Sequence, residues 1–267
     1  MQNKEKIDVI KMSEESTVVA KYTPIERTRT KYQSEAELEE EFIKQLTEQG
    51  YEYVNIKNEN DLIKNLRTQL EKLNNYTFFD NEWNDFFNSV IANGNENIIN
   101  KTEKIQENYI QNITLENGYV KNINFIDKDN IYNNHMQVIN QYTETHSEKR
   151  ARYDVTILIN GFPMVHIELK RRGVNIREAF NQINQYGEEN FWAGCGLYQY
   201  VQLFVISNGT NTKYYSNTTR SLHVSNTQHQ IKTLNTFEFT NFWADAENKI
   251  IPDLVDFTRT FLQSILY

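Results

Sequence analysis

The stretch RYDVTILINGFPMVHIELKRRG, residues 152–173, constrains this chain more than any other. DVTILI is β-branched and apolar, Asn-Gly supplies a tight turn, and MVHIELK alternates again, which together predict a β-hairpin. Side chains along a strand alternate between two faces. Val165, Ile167 and Leu169 then face a helical layer, and His166, Glu168 and Lys170 face the other way. Asp154 begins the preceding strand and can approach Glu168 across the turn. Two carboxylates converging at a strand end form a hard-oxygen site suited to Mg2+. A neighbouring lysine can orient a water or stabilise charge on a phosphate. The plainer reading of the same residues is a salt bridge on an exposed sheet face. His166 reads as a residue near such a site rather than in it.

Residues 34–49, SEAELEEEFIKQLTEQ, predict a helix: Ser34 and Glu37 have the form of a capping box, and Gly50 follows as a stop. On a wheel advancing about 100° per residue, Leu38, Phe42, Ile43 and Leu46 make one apolar stripe. Glu37, Glu40, Glu41, Lys44 and Glu48 lie opposite, but Glu35 and Glu39 fall inside the stripe. A carboxylate facing a core is costly unless it is paired, bound to metal or at a wet edge. Glu35 also reads as a first-turn acid favoured by the helix dipole.

The remaining segments frame these two. Residues 1–33 read as a polar, irregular arm, and residues 34–267 as one domain in which 55–130 form a largely helical insertion. MQVINQY, YVQLFVISNG and TKYYSN read as strands, and residues 176–187 as a helix that places Gln182 and Tyr186, four apart, on one face. The last residues, from Phe242, follow an amphipathic helical pattern that stops in mid-run, as expected of a cut through a longer protein. The sum 28 Lys and Arg against 36 Asp and Glu gives −8, which counts against gripping nucleic acid over the whole surface. Positive charge is local: Lys149, Arg150 and Arg152 precede Asp154, and Lys170, Arg171 and Arg172 follow Glu168. No apolar run approaches the ~18 residues of a membrane span, no secretory h-region opens the chain, and the lone Cys195 excludes a disulfide framework. The expected compartment is the cytoplasm.

Asp154, then Glu168-x-Lys170, then Gln182-x-x-x-Tyr186 resembles the PD-(D/E)XK nuclease superfamily in its QxxxY form. SEAELEEEFIKQLTEQGYEYV, the hairpin block and VQLFVISNGTNTKYYSNTT together resemble the N-terminal endonuclease domain of the restriction (R) subunit of type I restriction-modification enzymes. The resemblance implies an α/β fold, a restriction-endonuclease-like core with a mixed central sheet flanked by helices. It implies a domain that cuts double-stranded DNA with Mg2+ after the full complex has translocated DNA using ATP. Asp154 and Glu168 would be metal ligands, Lys170 the catalytic lysine, and Glu39 or else Glu35 the helix acid of the cluster. Gln182 and Tyr186, with Arg152, Arg171 and Arg172, would support the DNA or its scissile phosphate. The family's helicase-like motor is missing: no GxxxxGK followed by Ser or Thr occurs, so ATP belongs only to the full-length complex. Implied partners are double-stranded DNA, the methyltransferase and specificity subunits, and the motor domains of the same subunit, with no membrane. The rival expectations are a non-catalytic module that docks the motor to the assembly, a stand-alone repair nuclease of the superfamily, and a structural domain with a surface Glu168–Lys170 pair.

Overall fold

The hairpin sits at the centre of the structure. The computed structural model describes residues 7–12, 18–22, 33–115, 118–144, 151–185, 196–219, 236–244, 247, 249–251 and 254. The strands are β1 (Ile7–Met12), β2 (Val18–Tyr22), β3 (Glu52–Tyr53), β4 (Ile110–Thr114), β5 (Val120–Asn124), β6 (Met136–Glu144), β7 (Ala151–Ile159), β8 (Phe162–Leu169), β9 (Leu203–Ser207), β10 (Thr212–Ser216) and β11 (Asn241–Phe242). The helices are α1 (Glu35–Glu48), α2 (Glu59–Asn74), α3 (Asp80–Phe86), α4 (Ile98–Gln106) and α5 (Ile176–Gln185). Seven strands form one mixed sheet in the order β11-β10-β9-β8-β7-β6-β3. The β3–β6 and β8–β9 pairs are parallel, and the others are antiparallel. The expected α/β architecture, a mixed sheet with helices around it, is present.

Every residue of β8 from Phe162 to Leu169 is buried, so both of its faces are covered. This corrects the picture of a polar face open to water. Alternation separates residue types along a strand but does not reveal what covers the polar side. The turn of the hairpin is Asn160–Gly161, with φ +50 and +86, the left-handed pair that a tight two-residue connection requires. A Cβ on Gly161 would lie 2.6 Å from the Leu66 Cα, so α2 rests directly on the turn. Asn160 ties the turn down by donating from Nδ2 to the Phe125 carbonyl and to Asn134 Oδ1.

Helix α1 starts as the sequence predicts. Ser34 Oγ accepts from the Glu37 N–H, and the Glu37 carboxylate accepts from the Ser34 N–H. Its buried residues are Glu39, Phe42 and Leu46, and it packs on β3 and β8. Helix α5 packs on β8 and β9. Two expectations differ in detail. The stretch read as an irregular arm contains the antiparallel β1–β2 hairpin. Residues 55–130 hold α2, α3, a π turn and α4, but also the β4–β5 hairpin. Both hairpins lack a long alternating apolar pattern; only Ile113 and Ile123 are buried on β4 and β5. The C-terminal amphipathic pattern lies almost wholly outside the described residues. Among the described residues no helix is long and apolar enough to cross a membrane.

Candidate active site

The site is built where β7 and β8 run out of paired residues. Val155 pairs with Ile167, and the next positions along are Asp154 and Glu168. Asp154 does not begin its strand, as the sequence suggested; β7 starts three residues earlier, at Ala151. The Leu169 N–H donates to Asp154 Oδ2 at 2.9 Å and fixes that carboxyl. Glu168 is 0% exposed. Lys170 Nζ stands 3.5 Å from Glu168 Oε1, and His166 Nε2 stands 3.4 Å from Oε2. A Glu168–Lys170 pair on the surface, the plain structural alternative, is therefore absent: the carboxylate is enclosed. Lys170 also donates to the Leu169 carbonyl at 3.0 Å.

Helix α1 contributes two acids one turn apart. Glu35 Oε2 lies 4.0 Å from Lys170 Nζ, and Glu35 Oε1 accepts from the Arg171 N–H at 3.3 Å. Glu39 is buried, with Asn140 Nδ2 donating to Oε1 and Gln141 Nε2 donating to Oε2. Asn140 Oδ1 accepts in turn from Lys57 Nζ at 2.7 Å and from the Tyr53 hydroxyl at 3.0 Å. Burial pulls the Lys57 ammonium below its ordinary value, and the Glu39 charge opposes that pull.

Negative charge is in excess here. Burial pushes the Asp154 carboxyl up to about 7; Glu168 and, less strongly, Glu39 add to the rise, while the Leu169 N–H and Lys170 oppose it. Of these influences on Asp154, the Glu39 charge is the weakest. Among the described residues, no group of three or more His, Cys, Asp or Glu side chains is arranged to hold a metal. Asp154 and Glu168 alone nonetheless fit Mg2+, which is commonly bound through one or two carboxylates and fills its shell with water and phosphate oxygens. Crowded carboxylates, one of them pushed toward its protonated form, are a donor set that a divalent cation would relieve.

The other sequence-predicted residues spread around this centre. Arg152 is exposed on β7, two residues before Asp154, and Arg171 is exposed just after Lys170. Arg172 is partly buried, its stem lying against the Gly209 turn. Gln182 is partly buried on α5. Tyr186, Lys149 and Arg150 lie outside the described residues. Sequence reasoning missed Lys57, Tyr53, Asn140 and Gln141. The one visible signal was the polar Asn-Gln pair inside the strand MQVINQY.

Comparison with known proteins adds an independent observation. Residues 32–223 match the family described as Type I restriction enzyme R protein N terminus. The chain is 43% identical over 249 residues to the Type I restriction enzyme EcoprrI endonuclease subunit of Escherichia coli, covering 92% of this chain and 75% of that protein. It is 38% identical over 237 residues to the SsaAORF53P endonuclease subunit of Staphylococcus saprophyticus, covering 87% of this chain and 23% of that protein. A Staphylococcus aureus endonuclease subunit, SauMSSORF170P, is 35% identical over 237 residues with the same coverage, 87% and 23%. The chain thus spans three quarters of the first relative and under a quarter of the other two.

Proposed function

The chain belongs to the family of type I restriction enzyme R protein N-terminal regions, and on that premise we propose that it is a Mg2+-dependent endonuclease domain hydrolysing double-stranded DNA. The observation that supports this best is the enclosed pair Asp154 and Glu168 with Lys170 3.5 Å from the second carboxylate. Asp154 and Glu168 would hold the cation. Bound there, Mg2+ supplies Lewis-acid stabilisation of charge on the phosphate and its departing oxygen. Lys170 places a positive charge where a phosphodiester would lie and orients the attacking water for in-line displacement. Its contacts with Glu168 and Glu35 keep the long side chain from swinging away. Glu39 adds negative charge behind Asp154 and is the better candidate for the helix acid, since it acts on Asp154 while Glu35 touches Lys170. Arg152, Arg171 and Arg172 are suited to phosphates flanking the cut, and Gln182 with Tyr186 to supporting the DNA. The products would carry a 5′-phosphate and a 3′-hydroxyl.

In this reading residues 34–267 act as the nuclease domain of a larger subunit. Its motor domains use ATP to translocate DNA, and methyltransferase and specificity subunits complete the cytoplasmic assembly. The test is cleavage by the assembled enzyme carrying Asp154→Ala or Lys170→Ala. Each should lower cleavage by about 100-fold or more, on the order of 3 kcal/mol, while ATP hydrolysis is retained. Normal cleavage by either variant would overturn the site.

A further inference from the structure

Consecutive side chains of a regular strand point to opposite faces. Asn140 and Gln141 are consecutive on β6, yet both donate to the Glu39 carboxylate, one to each oxygen. The backbone explains how. Gln141 has φ +53, the left-handed region that a residue with a Cβ enters only at a cost. The β6–β7 pairing runs from Asn140 with Val155 to Tyr142 with Tyr153, and Gln141, the residue between, belongs to neither pair. Its place in that register is across from Asp154. Such strain persists where the surroundings dictate it, and it collects at functional sites. The orientation of the Asn140 amide is dictated too. Its Oδ1 accepts from Lys57 and Tyr53, so its NH2 must face Glu39.

We infer that Asn140 and Gln141 are positioning residues that clamp both oxygens of Glu39 and hold this helix acid at the Asp154–Glu168 centre, with Lys57 and Tyr53 fixing the clamp from behind. The inference rests on the proposed cation-binding role of that centre. Residues behind a metal's ligands typically change its affinity when altered, because they set the direction of the charged groups around it. The left-handed turn at Gln141 has a use in this scheme: it breaks the strand's alternation so that two neighbouring amides reach one carboxylate.

The probe is Mn2+ binding to the purified chain, measured by calorimetry, beside the melting temperature without metal. Gln141→Gly adopts the left-handed conformation freely, so it should melt no lower than the parent. It should nonetheless bind Mn2+ about tenfold more weakly. Gln141→Asn, which also tolerates this conformation but has a shorter amide, serves if the glycine variant does not fold. Asn140→Asp, which turns an acceptor toward Glu39, should weaken binding at least as much. In the pair Glu39→Gln and Gln141→Gly combined, affinity should be no lower than with Glu39→Gln alone, because the clamp acts through Glu39. Parent-like Mn2+ binding by Gln141→Gly, or losses that multiply in the double variant, would overturn the clamp while leaving the centre intact. Parent-like binding by both Asp154→Asn and Glu168→Gln would instead overturn the cation centre, and the clamp with it.

Discussion

Asp154 is held by one backbone donor and crowded by Glu168. Its carboxyl, at 3.8 in its ordinary state and about 7 here, binds a proton more tightly in the folded chain than in the unfolded one. The stability linked to that proton is full at pH values below the ordinary value and is lost as pH rises through about 7. The metal-free chain should therefore be less stable at pH 8 than at pH 5, by on the order of 2 kcal/mol from this group, and melt at a lower temperature. Asp154→Asn keeps the acceptor for the Leu169 N–H and removes the charge, so its melting temperature should change less over that range. Mg2+ at pH 8 should raise the melting temperature of the parent but not of the variant. A parent curve as flat as the variant's would contradict the assignment. Asp154, Glu168 and Lys170 were legible in the sequence because a single hairpin brings them together. Lys57, Asn140 and Gln141 were not, because their contacts join β6 to distant residues and nothing in the sequence marks a positive φ at a glutamine.

At the scale of elements, α1 separates geometry from charge. Glu39 is buried and Glu40, its immediate neighbour, is exposed. Glu39→Gln should lose cleavage in the assembled enzyme or raise its Mg2+ requirement, and Glu40→Gln should cut like the parent. Normal cleavage by Glu39→Gln alongside loss in Glu35→Gln would move the role one turn up the helix. The hairpin tip gives a second test. Gly161→Ala meets both a left-handed backbone and the Leu66 Cα, and backbone cannot step aside. A loss of about 2 kcal/mol or more is expected from the shift of the denaturation midpoint. The capping box, the Asn-Gly turn and the strands beside it were legible because each depends on residues within a few positions. The β4–β5 hairpin escaped notice because its strands are short, polar and rich in Asn, so burial imposes little alternation on them; the β1–β2 strands escaped because they are short and their apolar and polar residues do not alternate strictly.

For the whole molecule, a net charge of −8 sets the terms of DNA binding. The cations that could meet phosphate are concentrated just before Asp154 and just after Glu168. The isolated chain should bind duplex DNA weakly, with an affinity that falls steeply between about 50 and 200 mM salt. Salt-insensitive, sequence-selective binding in a filter or anisotropy assay would favour a stand-alone nuclease instead. The mixed sheet was legible in outline, from five runs of strand character, two of them in the hairpin. Its strand order was not, since parallel β8–β9 pairing depends on a crossover through α5 that no local pattern dictates. That crossover also bears on timing. The strand bearing Glu168 lies between β7 and β9, and Glu168 itself registers with Ile206, on a segment made well after it. Contacts so far apart in sequence close late in folding. A chain still emerging from the ribosome thus has its acids and its lysine but no enclosure around them, and the candidate centre is complete only after β9 has docked.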